Sequence, residues 1–539
     1  MSTSVLVIGL DGAGWNLFAP WARAGRLPAL AALMDRGTWG PLTSTVPALT
    51  LPAWSSFMTG KNPGGHGIFA FHRMAFDRYD SAGLANAADL RAARIWDVAA
   101  HAGKRVGVIN VPPSYPLRPI PDGYLVGCML TPPGQPFTDP PEVAAELGEY
   151  EIDLPPPKNL RRTDPDYHER ALAYLSGMRR QTRLRGEATL RVMASRPTDA
   201  VCVVFYAPDR VQHYFWEYVD PDRPADGPLD DDVRAALLAV YEELDRAVGR
   251  LVDAVGADAN VVVLSDHGFG TKPERSVRIN RWLADRGLLR RHAFWTTRRR
   301  VVRKMFPASW RERYDTLDHI LVKRARSKAW SEALFTGTAG IWVHLRGRYP
   351  LGCVAPGAEY ERVRDEIRNG LRALTDDRGQ RVFRSVERRE HLYRGPYVDT
   401  APDLVAVCEP RFGIVFESLR RELRSPDLFG PYEELGYTGT HDPAGLYLLA
   451  GPAAQALGAH DEFPIEAVAP TVLHLLDVPV PEDHEAGVMA SALRPEFLAA
   501  HPVRFAPPLD EAATASAGWR SSEDEAQVAE HLRALGYFE

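Results

Sequence analysis

The sequence predicts an α/β fold: a mostly parallel, doubly wound sheet with helices on both faces. Three observations carry that expectation. Five short stretches are apolar runs, as strands buried on both faces of a sheet must be. Helical patterns lie between them, and strands alternating with helices argue for parallel pairing. Aspartates and histidines directly follow several of the runs, and in open α/β sheets ligands bind at the carboxyl ends of strands.

In chain order, the first run is "VLVIGL" at Val5–Leu10. "LPALAALMDRG" then reads as a helix closed by Gly37. "RIWDVAAHAG" reads as a second helix, leading into the strand "RVGVINV" at 105–111. The proline-rich stretch 112–164 reads as loops over the sheet. Strands follow at 199–206 ("DAVCVVFY"), 260–264 ("NVVVL") and 445–451 ("GLYLLAG"), with the helical pattern "LLAVYEELDRAVGRLVDAVG" before the second of these. Residues 288–328 break the rhythm: from 290 to 328 there are thirteen Lys or Arg against three acidic residues, with Phe294, Trp295, Phe306 and Trp310 among them. This segment is expected to be a basic cap insertion in a catalytic core formed by 1–287 and 329–520. It would attract an anionic substrate through Arg298, Arg299 and Arg300 or rest on an anionic membrane surface. Residues 521–539 read as a terminal helix with a serine cap and an acidic first turn.

Composition narrows the function classes. The chain has 539 residues, 45% hydrophobic and 25% charged, with net charge -6 and pI near 6.3. That balance does not suggest a bulk nucleic-acid binder, and no nucleic-acid polymer is expected as a partner. Cys128, Cys202, Cys353 and Cys408 are far apart with no CxxC, which predicts neither a disulfide framework nor a zinc ribbon. No basic leader or long apolar span is visible, so a cytoplasmic location is expected.

The chemistry gathers at the strand ends. Asp11 follows the first strand, "APDRVQH" with Asp209 and His213 the one at 199–206, and "SDHG" with Asp266 and His267 the one at 260–264. His441, in "GTHDPAG" just before the last strand, can join them. Carboxylates gathered at one edge repel unless a cation neutralises them. Mixed Asp and His ligands suit zinc, and manganese or iron less specifically. Six such residues exceed the need of one ion and match two, the arrangement that clamps both oxygens in phosphoryl transfer. Thr50, in "PALTLPAWSSFMTGKNPGGHGI", supplies a hydroxyl at a helix start, where free backbone N–H groups can hold phosphate oxygens. Taken singly, each residue has a commoner reading: a turn at Asp11-Gly12, a surface pair for Asp209 and His213, a helix cap for Thr50. Their joint occurrence in this order outweighs those readings. His66, His72, His101 and His484 are expected to be structural.

These motifs resemble the type I phosphodiesterase/nucleotide pyrophosphatase family of the alkaline phosphatase superfamily, in a prokaryotic branch. The resemblance runs through "VIGLDG", "TLPAWSSFMTGKNPGGHGI", "YAPDRVQH", "VVVLSDHGFG" and "GTHDPAGLYLLAGP", and extends to "RIWDVAAHAGKRVGVINVPPSYP", "FTGTAGIWVHLRGR" and "HLRALGYFE". It implies an alkaline-phosphatase-like core with two zinc ions. One would be held by Asp209, His213 and His441, the other by Asp11, Asp266, His267 and the Thr50 hydroxyl. Thr50 would attack phosphorus to give a phospho-threonine that water then releases. A threonine nucleophile is similar to the diesterase branch, and the substrate implied is a small anionic phosphodiester or nucleotide-like molecule. A phosphomonoesterase, a phosphomutase or phosphotransferase, and a non-catalytic binding protein are the alternatives on this scaffold. One departure is the absence of an asparagine after "HGI", where well-studied nucleotide pyrophosphatases hold a phosphate oxygen. The Thr50 amide or Lys272 is expected to take that role, while Phe69 and Phe71 either stack on a base or fill the core.

Overall fold

The computed structural model describes residues 3–75, 80–157, 160–223, 227–291, 322–414, 419–432, 436–509 and 521–534. Most of the basic segment, including Phe294, Trp295, Arg298, Arg299, Arg300, Phe306 and Trp310, lies outside the described residues, as does the end of the terminal motif.

The central sheet contains the strands β1 (Val5–Leu10), β2 (Gly37–Thr43), β3 (Val106–Ile109), β4 (Tyr124–Val126), β5 (Ala200–Phe205) and β6 (Asn260–Leu264). Two further segments, β7 (Gly268–Thr271) and β12 (Gly439–Asp442), form an antiparallel pair beside it, and β13 (Ala444–Ala450) returns to the central sheet. The order across the sheet is β2-β13-β6-β1-β5-β3-β4, with short strands extending both edges. β6, β1, β5, β3 and β4 are parallel, whereas β13 runs antiparallel to both β6 and β2.

The apolar runs are strands because both their faces are covered. In β1, Val5 and Val7 enter one hydrophobic cluster and Leu6, Ile8 and Leu10 the other. The first cluster is closed by α2 (Thr50–Thr59), α3 (Ile95–His101), α8 (Val468–Leu475) and α9 (Ser522–Ala534). The second is closed by α1 (Pro28–Asp35), α4 (Tyr167–Ser195) and α6 (Asp231–Val255). Gly37 does not close α1. It opens β2 opposite Ala450, where a Cβ would come within 2.5 Å of the Leu449 carbonyl oxygen.

A second sheet lies in the later part of the chain. β8 (Ala329–Phe335), β9 (Thr338–Val343), β10 (Phe383–Arg388) and β11 (Leu404–Cys408) pair in the order β8-β9-β11-β10, all antiparallel. With α7 (Ala358–Arg372) they enclose a separate hydrophobic cluster around Ile341, Ile367 and Leu404. Among the described residues no helix is long and apolar enough to cross a membrane, and all four cysteines are unpaired.

Candidate metal centre

Each candidate ligand stands where an element ends. Asp11 follows β1, and its carbonyl accepts a hydrogen bond from the Asp209 amide at 3.0 Å, drawing the ends of β1 and β5 together. Gly12, at φ 72°, makes this approach possible: a Cβ there would sit 3.0 Å from the Asp209 Cα. Asp209 and His213 lie one turn apart on α5 (Ala207–Phe215), the helix that begins at the end of β5. Both are buried, so this is no solvated surface pair. Asp266 and His267 follow β6 and are fully buried, and His441 faces Phe269 across the β7–β12 pair.

Two groups of donor atoms result. His441 Nε2 lies 3.0 Å from Asp209 Oδ1 and 3.2 Å from His213 Nε2, and His213 Nε2 is 3.3 Å from the same oxygen. His267 Nε2 lies 3.2 Å from Asp266 Oδ2 and 3.7 Å from Asp11 Oδ1. The rings of His267 and His441 stack at 3.5 Å between centroids, so the two groups share a wall.

The tautomers decide what these contacts mean. His267 Nδ1 lies 3.0 Å from the Gly268 carbonyl and His441 Nδ1 lies 3.1 Å from the Ala48 carbonyl. A carbonyl only accepts, so each Nδ1 carries the proton and, in the neutral ring, each Nε2 presents a lone pair. Burial keeps both rings neutral by pushing their pKa values below the ordinary histidine value. Lone pairs therefore face carboxylate oxygens at close range. Asp11 Oδ1, Asp266 Oδ2 and His267 Nε2 are buried without a hydrogen-bond partner. Burial, joined by the Asp209 charge, raises the Asp11 carboxyl well above the usual range; burial, then Asp11 and Asp209, does the same to Asp266. Asp209 moves the other way, since His213 and Arg210, which donates to its Oδ2, overcome its burial. A divalent cation would resolve this arrangement, and two groups of donors, Asp11 with Asp266 and His267, and Asp209 with His267 and His441, lie close enough together to hold one.

Thr50 is buried at the first position of α2, and Leu49 occupies the cap position. Two contacts fix this helix start against the donor groups. The Ala48 carbonyl, two residues upstream, accepts a hydrogen bond from His441 Nδ1–H, and Trp54, one turn downstream, donates Nε1–H to Asp11 Oδ2 at 3.1 Å. Lys272 lines a cavity of about 500 Å³ with Ala48, Phe335 and His441, and has no ion-pair partner among the described residues. Phe71 is elsewhere. It is buried in the core and borders a different cavity with Ile68 and Trp342. The Phe69 ring meets Tyr393 at 5.1 Å. His66 is buried, with its Nε2 3.1 Å from Ser56 Oγ and its Nδ1 accepting from the Ile68 amide.

Sequence reasoning missed Trp54 and Arg210. The four-residue spacing between Thr50 and Trp54 puts both on one helix face, and that spacing was a usable signal. Arg210 had none, because its other partner, Asp153, lies in the proline-rich stretch read as loop.

Comparisons with known proteins bear on the fold and the family. Among solved structures, the phosphonoacetate hydrolase from Sinorhizobium meliloti 1021 in complex with phosphonoformate aligns with a TM-score of 0.54 at 16% identity, covering 88% of this chain and 96% of that one. Murine ectonucleotide pyrophosphatase/phosphodiesterase 5 aligns with a TM-score of 0.49 at 15% identity, covering 91% and 100%. No curated protein sequence matches. The fold is alkaline-phosphatase-like. Residues 5–442 match the model for type I phosphodiesterase / nucleotide pyrophosphatase, and the chain belongs to that family of metal-dependent phosphoester hydrolases.

Proposed function

We propose that this chain hydrolyses phosphodiester or phosphoanhydride bonds through a covalent phospho-threonine at Thr50. The observation that carries the reading is the convergence of His267 Nε2, Asp266 Oδ2 and Asp11 Oδ1, buried and without hydrogen bonds, beside the helix that starts at Thr50. Asp11, Asp266, His267 and the Thr50 hydroxyl would hold one divalent ion, and Asp209, His213 and His441 the other, with zinc best suited to this donor mixture. Such ions, when bound, neutralise the gathered carboxylates and lower the pKa of a nearby hydroxyl.

The remaining steps belong to the chain's own groups. The Thr50 hydroxyl gives its proton to solvent water, and its Oγ bonds to phosphorus as the bond from phosphorus to the in-line leaving oxygen breaks. The backbone N–H groups of the first turn of α2 hold phosphate oxygens as negative charge grows. Lys272, in the adjoining cavity, supplies a further positive charge toward the phosphate or the group beyond it. Water then attacks the phospho-threonine and restores the hydroxyl.

The test is Thr50→Ala assayed on an aryl phosphodiester and an aryl phosphomonoester. Turnover of the diester should fall by about three orders of magnitude or more, while the bound metal persists. Thr50→Ser should retain activity. Diester turnover by Thr50→Ala within about tenfold of wild type would remove the covalent mechanism. A wild-type preference for the monoester would move the reading to a phosphatase.

A further inference from the structure

Asp209 is gripped on the side away from the histidines. Its Oδ1 faces His213 and His441, while its Oδ2 accepts from Arg210 Nη1 at 2.5 Å. The rest of that guanidinium is turned on a second carboxylate. Arg210 Nη2 donates to Asp153 Oδ2 at 2.8 Å, and Nε lies 3.3 Å from both Asp153 oxygens. The Arg210 and Asp153 side chains are each only 2% exposed. The guanidinium carbon lies 5.4 Å from the centre of the Tyr206 ring, and Nη2 is 3.0 Å from Met129 Sδ. Behind Asp153 stands His531 of α9, with Nε2 3.3 Å from Asp153 Oδ2. A line of contacts therefore runs from the terminal helix to the edge of the central sheet.

A buried ion pair is weak support for a fold, because well-packed apolar residues of similar size often serve as well or better. This pair has a more specific effect. Arg210 alone beside Asp209 would cancel the charge that a cation needs. Asp153 cancels Arg210 instead, so Asp209 is oriented by the guanidinium and keeps its full charge. The planar fork suits this, since it meets two carboxylates at once in a fixed geometry; an ammonium on a flexible stem fixes neither distance nor orientation.

We propose that Arg210, held by Asp153 and through it by His531, is a positioning residue that fixes Asp209 to bind a divalent cation through one oxygen. The inference rests on the reading of Asp209 as a ligand. Groups behind a metal ligand typically govern about 10- to 100-fold in metal affinity.

The experiment titrates metal-stripped, full-length protein with Zn²⁺ and with Mn²⁺ in competition with a chelator, and records the thermal midpoint of each metal-free variant. Arg210→Lys preserves the charge and loses the fork. One of its two ion affinities should fall by about 10- to 100-fold, with the metal-free midpoint close to wild type. Asp153→Asn should weaken the same site, and His531→Gln should weaken it less. A purely structural role would shift the midpoint and leave the affinity of the folded molecules unchanged. An Arg210→Lys affinity within about threefold of wild type, short of the range above, overturns the proposal. Should Arg210→Lys fail to fold, Asp153→Asn decides by the same criteria. Wild-type protein that binds neither ion overturns the ligand assignment itself and this inference with it.

Discussion

The molecule buries aspartates in two ways, and the contrast separates architecture from chemistry. In the antiparallel unit, Asp403 is completely buried and fully engaged. Its Oδ2 accepts from the Val343 amide at 2.6 Å and from Arg348 Nη2; its Oδ1 accepts from Arg348 Nη1 at 2.9 Å and from the Tyr360 hydroxyl. At the edge of the parallel sheet, Asp11 and Asp266 are equally buried, yet each leaves one oxygen without a hydrogen bond beside a histidine lone pair. Asp403 finishes a structure. Asp11 and Asp266 leave one unfinished, at a cost that the proposed cation would offset.

Three measurements break or sharpen that contrast. The largest effect is expected from Asp266→Asn. Turnover should drop by about 10³-fold or more, because a cation contributes several kcal/mol to the transition state. The metal-free protein should melt at the wild-type temperature or above it, since a repelling carboxylate has gone. A lower metal-free midpoint would place Asp266 with the structural aspartates. Asp403→Asn should do the reverse. It leaves the partly buried Arg348 without its carboxylate and should cost about 3 kcal/mol in chemical denaturation, with metal content per folded molecule unchanged. Loss of metal in that variant would erase the distinction between the two regions.

The smallest effect concerns His66, a buried group that is neither a candidate ligand nor ion-paired. Burial, with the Lys61 charge, lowers its pKa from 6.5 to about 3. Between those values the unfolded chain binds a proton that the folded chain refuses, so stability falls as pH drops from 6.5 toward 3. The slope from this one residue is about 1.4 kcal/mol per pH unit. His66→Gln should flatten the stability–pH curve of the metal-free protein by that amount between about pH 6 and pH 4. An unchanged slope would mean that His66 takes up its proton in the folded state.

Much of the candidate site was legible in the sequence for a physical reason. A parallel strand covered on both faces must be apolar along its whole length, so β1, β5 and β6 were visible as runs, and what followed each run had to stand at one edge. β2 was not visible: "GTWGPLT" has two glycines and a proline, and its strand character comes from pairing with β13 and not from its own residues. The antiparallel sheet was missed because strands there alternate or break, as "FRSVER" does. The helix of 29 residues at Tyr167–Ser195 has a strongly polar face that masks its period in a linear reading. Support for Asp209 was illegible in principle, since Arg210 meets Asp153 across 57 positions and Asp153 meets His531 across 378. No local pattern encodes such meetings.

The place of β13 in the sheet has a consequence for the order in which the protein comes into being. Residues 444–450 fit between residues 37–43 and 260–264, so the sheet has a missing slat until residues 444–450 have been made. At a synthesis rate of about 5–20 residues per second, roughly 20–80 s separate the completion of β2 at Thr43 from that of β13 at Ala450. During this time β2 and β6 each lack their common neighbour, and unpaired strand edges invite the wrong partner. His441 lies three residues before β13 and becomes available only in the same moment. The emerging chain is thus a long-lived nascent form with an open sheet, and closure of that sheet and arrival of the last candidate ligand are a single event.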